Sequence, residues 1–307
     1  MAGVTLRVAF QGELGAYSEE AVRRYWPGES TEPVPRRSCA AVVRAVEDGS
    51  VDYGLLPIEN TLAGSVVDTY DALSAARHTW VVGESILPIH HCLLALPGAT
   101  IESLERVASH PVALAQCGRF LDRHSNIESD AAYDTAGAAR DVASSGDRSR
   151  GAIAGRRAAE RFGLEILASD IEDRPDNQTR FFSLARQAAA LAPGIEARTA
   201  IIAATMNIPA ALYRLLDPVA EAGLNLSKLD SRPTGKPWSY SFFLEFEHLS
   251  NDPKLPRVLE EMARRSEGFR ILGHFARVVA ESTDGPTTLA SHAPRDFADD
   301  LEWKAEL

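Results

Sequence analysis

Four short stretches of this 307-residue chain gather side chains that can donate protons or hold an anion, each beside small or turn-forming residues. They are Gln11-Gly12-Glu13-Leu14-Gly15-Ala16-Tyr17-Ser18, Pro57-Ile58-Glu59-Asn60-Thr61, Ser109-His110-Pro111 with Gln116 just beyond, and Asp176-Asn177-Gln178-Thr179-Arg180-Phe181. Hydroxyls, amides and a guanidinium form a donor set suited to a small carboxylate, and Glu59 adds a group able to carry a proton. Taken singly these residues have structural readings: Ser18 caps a helix, Asn60 holds a turn, Ser109 caps another helix. Glu59 resists that treatment, because its apolar frame predicts a buried carboxylate that must find a partner or take up a proton.

His90, His91 and His110 could also move protons. His91 stands in an apolar run, His110 precedes a proline, and neither has a visible carboxylate to orient it, so both are read as structural. Cys39, Cys92 and Cys117 show no CxxC spacing and no histidine at zinc-ligand intervals, so they are read as reduced, mostly buried thiols with no metal among them. A formal net charge of -11 argues against nucleic acid and anionic membrane surfaces as partners, while leaving room for a local arginine to bind a small anion. The first residues lack a basic stretch followed by an apolar one, and no apolar run reaches membrane-spanning length, so the expected location is the cytoplasm.

Elements able to position these residues alternate between strand-like and helix-like patterns over roughly the first 185 residues, which indicates an α/β architecture. The first strand ends at Phe10, and a helix with Ser18 as its cap runs to Pro27-Gly28. A strand over 51–56 leads into the Pro57 segment, a helix follows over 66–76, and strands lie near 80–82 and 91–96. Helices are expected over 113–123 and 135–143, a buried strand over 151–154 and a helix over 155–162. The polar stretch 170–178 contains Pro175 and predicts a loop that delivers Thr179-Arg180-Phe181 into a strand over 182–185. Beyond Pro193-Gly194 the order becomes strand, helix, strand, strand, helix, strand over 198–278, the ferredoxin-like βαββαβ unit. Residues 281–307 are polar and predict a mobile tail.

The ordered segments Pro57 to Asn60, Ser109 to Cys117 and Thr179 to Phe181 resemble the Pro-x-Glu-Asn, Ser-His-Pro with Ala-Gln-Cys, and Thr-Arg-Phe motifs of the prephenate dehydratases. Ala9-Phe10-Gln11-Gly12 and Gly15-Ala16-Tyr17-Ser18 are similar to the plant arogenate dehydratases. The resemblance covers almost the whole chain apart from the tail. It implies a two-lobed catalytic domain over 1–187 like the type II periplasmic binding proteins, with lobes of roughly 1–83 plus 170–187 and 84–169, followed by an ACT domain over 198–280. The implied reaction takes prephenate to phenylpyruvate, water and CO2 in phenylalanine biosynthesis, with no cofactor. Thr179 is then the essential hydroxyl, with Glu59 as a second catalytic group, here taken as a proton source, and Asn60, Ser109, Gln116, Arg180, Phe181 and Ser18 around the substrate. Where the family has Gly-Pro-x-Gly-Thr, this chain ends on Ala16 and lacks that hydroxyl.

The C-terminal unit resembles an ACT domain, which pairs across a subunit interface and binds amino acids there. Its motifs fall on Asn207-Ile208-Pro209-Ala210-Ala211-Leu212 and on Lys228 to Pro233, which includes Asp230, Ser231, Arg232 and Pro233. Ala210 stands where the family has glycine, and Asp230 where it has glutamate. Phenylalanine is the implied effector and a homodimer or homotetramer the implied assembly. Arogenate remains open as the substrate, and a non-catalytic amino-acid sensor is the rival reading from another class.

Overall fold

The computed structural model describes residues 5–26, 29–205, 207–234, 237 and 239–278. The tail expected over 281–307 lies outside the described residues. Tertiary contacts divide the chain into two compact units, Met1–Thr69 with Ser85–Phe181, and Tyr70–Glu84 with Phe182–Leu307.

A first sheet contains β1 (Leu6–Gln11), β2 (Thr31–Arg36), β3 (Tyr53–Asn60), β4 (Gly64–Ser65), β5 (Trp80–Pro88) and, from much later in the chain, β11 (Gln178–Ala185). Its order is β2-β1-β3-β11-β5, with β4 folded back on β3. Val8, Ala9 and Phe10 of β1 are fully buried in succession, as suits a parallel strand covered on both faces. Sequence pattern missed β2, because Pro33 and Pro35 break it; an edge strand tolerates them, since their missing N–H groups would face outward from the sheet. Helices α1 (Tyr17–Tyr25), α2 (Cys39–Glu47) and α3 (Val67–Ala75) link these strands, and α2 also went unread. Ser38 caps it by accepting from the Ala41 N–H at 3.2 Å.

The second sheet has β6 (Cys92–Ala95), β7 (Arg106–Ser109), β8 (Glu128–Ala131), β9 (Arg150–Ala154) and β10 (Glu165–Ala168), ordered β10-β6-β9-β7-β8. Its helices are α4 (Pro111–Gln116), α5 (Gly118–Arg123), α6 (Thr135–Ser145) and α7 (Arg156–Phe162). The chain thus leaves the first sheet after β5, builds the second, and returns as β11 between β3 and β5, which gives the two-lobed α/β arrangement expected. A single helix over 113–123 was expected; α4 and α5 instead break at Cys117. The returning loop is the cause: Asp173 donates its N–H to the Gln116 carbonyl at 2.7 Å and accepts from the Arg119 N–H at 3.0 Å, taking groups a continuous helix would have used.

The C-terminal sheet comprises β12 (Glu196–Ala204), β13 (Asn225–Pro233), β14 (Tyr240–Leu249) and β15 (Gly268–Ala276), with helices α8 (Ala211–Ala222) and α9 (Leu255–Arg264). Its order β13-β14-β12-β15, antiparallel throughout, is that of a βαββαβ unit. Both helices cover one face around Ile201, Leu215, Leu244, Phe246 and Met262. On the other, Phe243 meets the Tyr70 ring at 4.5 Å and Phe275 meets Phe182 at 5.3 Å. Arg270 donates to the Leu73 and Ala76 carbonyls at the end of α3.

Candidate active site

The site residues in the first compact unit come from strand ends and helix ends of both sheets. β3 runs past Pro57 to Asn60, turns, and is closed by β11: Thr61 donates its N–H to the Gln178 carbonyl at 2.9 Å and its hydroxyl to the Asp176 carbonyl at 2.8 Å. This zipper sets Asn60 beside Thr179. Asn60 Nδ2 lies 3.0 Å from Thr179 Oγ1, 2.8 Å from Asn177 Oδ1 and 3.1 Å from the Gln178 carbonyl, so two hydrogens serve three acceptors. Asn60 Oδ1 accepts from the backbone N–H groups of Leu62 and Ala63.

From Asn177, itself 1% exposed, the network continues. Its Nδ2 donates to Gln116 Oε1 at 3.0 Å, His91 Nε2 lies 2.9 Å from the same oxygen, and the Tyr17 hydroxyl lies 2.7 Å from His91 Nδ1. Six side chains therefore run unbroken from Tyr17 at the start of α1 through His91, Gln116 at the end of α4, Asn177 and Asn60 to Thr179. Burial holds the His91 imidazole below its usual range, against an opposing pull from the Gln116 hydrogen bond, and pushes the Tyr17 phenol well above its own. Glu172 pins the crossing, accepting from the His91 N–H at 2.9 Å while its other oxygen lies 2.8 Å from His90 Nδ1.

Glu59 is not the buried carboxylate its frame predicted. Its side chain keeps 37% of its exposure and stands 3.8 Å from Arg180 Nη2. The pair brings two more of the expected site residues together. Ser109, Phe181 and Ser18 are placed differently. Ser109 is fully buried and donates its hydroxyl to the Ile153 carbonyl at 2.6 Å, Phe181 is 1% exposed, and Ser18 is 8% exposed. None of the three bonds to the network among the described residues. Ser18 does not cap α1 either; the cap position is Ala16, whose methyl cannot accept a hydrogen bond.

The 11–18 loop is tied to the helices of the second sheet. Glu13 Oε1 accepts from the Tyr133 hydroxyl at 2.6 Å and pairs with Arg140 at 3.1 Å, and buried Glu19 accepts from Gly15 N–H and pairs with Arg157. Gly12 and Gly15, at φ +117° and +96°, supply backbone that other residues rarely adopt. Asn177, His91 and Tyr17 are the site residues that sequence reasoning left out. Asn177 and Tyr17 stood inside quoted segments, and for His91 the only signal was a polar ring in an apolar run.

Among the described residues, His90, Asp170 and Glu172 could jointly approach a metal ion, but His90 and Asp170 are exposed and His90 Nδ1 already meets Glu172 Oε1 at 2.8 Å. His110 caps α4 through Nδ1, 3.2 Å from the Val112 N–H.

In the second unit, Asn207, Ala210, Ala211 and Leu212 form the entry to α8, next to an open pocket of about 390 Å³ lined by Ile208, Ala211, Arg214, Asp217 and Arg265. Asp230, Ser231, Arg232 and Pro233 end β13, where Arg232 holds Asp71 with two bonds of 3.1 and 3.2 Å.

The sequence profile of the prephenate dehydratase family matches residues 8–189. The Arabidopsis thaliana arogenate dehydratase/prephenate dehydratase 6, a chloroplastic protein, is 38% identical over 291 residues, which cover 90% of this chain and 70% of that one. The structure of prephenate dehydratase in complex with L-Phe from Arthrobacter aurescens is 30% identical with a TM-score of 0.82 and covers 93% of each chain. A chain described as a novel type of quorum quenching acylase is 37% identical with a TM-score of 0.80, covering 89% of this chain and 98% of its own.

Proposed function

The chain belongs to the prephenate dehydratase family, and from that membership we propose that it removes water and CO2 from prephenate to give phenylpyruvate for L-phenylalanine synthesis, with Thr179 at the centre of the chemistry. Prephenate is a cyclohexadiene bearing a ring carboxylate, a pyruvyl side chain and a 4-hydroxyl. Loss of the carboxylate as CO2 pushes electrons into the ring and expels the hydroxyl, and aromaticity drives the step. Electrons balance within the substrate, so no redox partner is called for; one proton must reach the departing oxygen.

The observation that carries this reading is the Thr179 hydroxyl. Its oxygen accepts from Asn60 Nδ2 at 3.0 Å, and its hydrogen is taken up by no described residue. An alcohol is a weak acid, but a donor whose oxygen is itself hydrogen-bonded is polarised toward giving up its hydrogen, and it is already oriented. Glu59, 3.8 Å from Arg180, is the second group we propose for the chemistry, and Glu59→Gln tests whether it passes a proton toward Thr179. Gln116 and Arg180 supply donors for the substrate's anionic groups.

Arogenate differs from prephenate in carrying an amino group for the keto group, and the plant relative is named for both activities. The sensor reading leaves the Thr179 arrangement without a use. Acylase chemistry is named for one similar chain; Ser109, buried with its hydroxyl already donated, offers no nucleophile for it. We assign the C-terminal βαββαβ unit as an ACT domain with phenylalanine as effector, the assembly as a homodimer or homotetramer, residues 1–187 as the catalytic domain, and the cytoplasm as the location. The described helices include none long and apolar enough to cross a membrane. The deciding assay gives purified protein prephenate and arogenate separately and follows phenylpyruvate and phenylalanine. Phenylpyruvate formation well above spontaneous decay is expected; no acceleration with either acid would end the enzyme reading.

A further inference from the structure

Hydrogen-bond polarity in the six-residue network is decided at one end by the backbone. Leu62 and Ala63 donate N–H groups to Asn60 Oδ1 at 3.0 and 2.9 Å, so the face of Asn60 that meets Asn177 and Thr179 is its NH2. Asn177 must then present Oδ1 to Asn60, at 2.8 Å, and NH2 to Gln116, at 3.0 Å. Gln116 consequently turns Oε1 inward, and the ring nitrogen 2.9 Å from that oxygen, His91 Nε2, must carry hydrogen. A neutral imidazole has a single N–H, so Nδ1 is an acceptor, and the Tyr17 hydroxyl 2.7 Å away fills it. Each link as far as His91 Nε2 leaves one choice for the next. At the far side of Gln116, its NH2 is left facing away from the network and bonds to no described residue.

We infer that His91, held in its Nε2–H tautomer by Tyr17, is a positioning residue that fixes the Gln116 amide so that it offers NH2, and not oxygen, to the substrate's carboxylate or carbonyl. The identity of that ligand rests on the dehydratase reading above; the tautomer does not. Asn177 supplies one of the two inward donors to Gln116 Oε1 and His91 the other, so without His91 the amide is held by half its contacts and can turn its acceptor toward an anion, which repels it. His91 is 2% exposed, which leaves little room for water to replace the lost donor. The rival state is a doubly protonated ring, in which Tyr17 would turn its hydrogen to the His90 carbonyl at 2.9 Å; burial of the ring opposes it.

Two measurements test this on the full chain. With 15N-labelled histidine, long-range 1H–15N spectra at neutral pH should show one ring, absent in His91→Gln and so assigned to His91, as the neutral Nε2–H tautomer, and Tyr17→Phe should shift it. A charged ring or the Nδ1–H tautomer overturns the inference whatever the activity. In kinetics, His91→Leu should lower kcat/KM for the accepted substrate by about tenfold to a hundredfold, the range for one lost bond to a charged group. His91→Gln, whose amide NH2 can reach Gln116 Oε1, should restore most of it. In a Gln116→Glu background, where no NH2 remains to be aimed, His91→Leu should have little further effect. A folded His91→Leu protein, matched to the parent by circular dichroism and melting temperature, with unchanged kcat/KM overturns the positioning role. Failure of the parent protein to act on either acid would sink the dehydratase reading and leave the tautomer result standing.

Discussion

In the proposed reaction Thr179 and Glu59 divide the chemistry between an oriented hydroxyl and a carboxylate with an arginine beside it, and their substitution should separate the two roles. Thr179→Ala is expected to lower kcat roughly a hundredfold or more, in line with the loss of a proton donor in the transition state. Steady-state rates with the accepted acid read this directly, and an unchanged kcat removes Thr179 from the mechanism. Glu59→Gln should lower kcat steeply; an effect confined to KM would make Glu59 a binding residue only. A different residue-scale prediction belongs to the C-terminal sheet. Thr199 Oγ1 lies 2.7 Å from both His248 Nε2 and His274 Nδ1, and burial, with His248 adding to it, lowers the His274 pKa to about 4. The unfolded chain therefore takes up this proton first as pH falls, so the stability held by neutral His274 is complete above about pH 6.5 and is lost toward pH 4. Urea unfolding at pH 7.5 and 5 should show a loss of about 1 to 2 kcal/mol that is smaller in His274→Gln.

Among the elements, α8 begins in an unusual way. Its cap residue, Ala210, sits at φ 63° and ψ 16°, left-handed backbone that glycine adopts freely and an L side chain adopts at a cost of roughly 1 to 2 kcal/mol. A methyl stands here where the family has glycine, and on this backbone the consequence is strain. Ala210→Gly should relieve it and return part of the gain to unfolded-chain entropy, for a net stabilisation of about 0.5 to 1 kcal/mol by denaturant unfolding. The long helix expected over 113–123 offers the opposite lesson. Its residues favour one helix, and the break at Cys117 comes from Asp173, more than fifty residues later, reaching the Gln116 carbonyl and the Arg119 N–H. That break ends α4 at Gln116 and so sets where its amide stands, a placement that local propensity does not contain.

At the scale of the whole chain, regulation and assembly can be read together. If phenylalanine binds the folded C-terminal unit, a concentration a hundred times its Kd adds about 2.7 kcal/mol by mass action and should raise the melting temperature by several degrees. Thermal unfolding with L-phenylalanine, beside sedimentation with and without it, measures both; no shift at millimolar ligand would leave the C-terminal unit a purely structural role. The sequence by itself carried the α/β alternation, the change to a βαββαβ pattern after Pro193-Gly194, and the motifs holding Glu59, Asn60, Gln116, Thr179 and Arg180, because periodicity and motif spacing are written in neighbouring residues. It did not carry β2, whose prolines are tolerable only at a sheet edge, nor the half-exposed state of Glu59, nor the withdrawal of Ser109 and Phe181 into the core. Tertiary structure alone joined Tyr17, His91, Gln116, Asn177, Asn60 and Thr179, residues up to 162 positions apart, counted as 179 less 17. The physical reason is that a hydrogen bond depends on distances of about 3 Å and on which partner holds the hydrogen, and both are set only when distant segments close on one another.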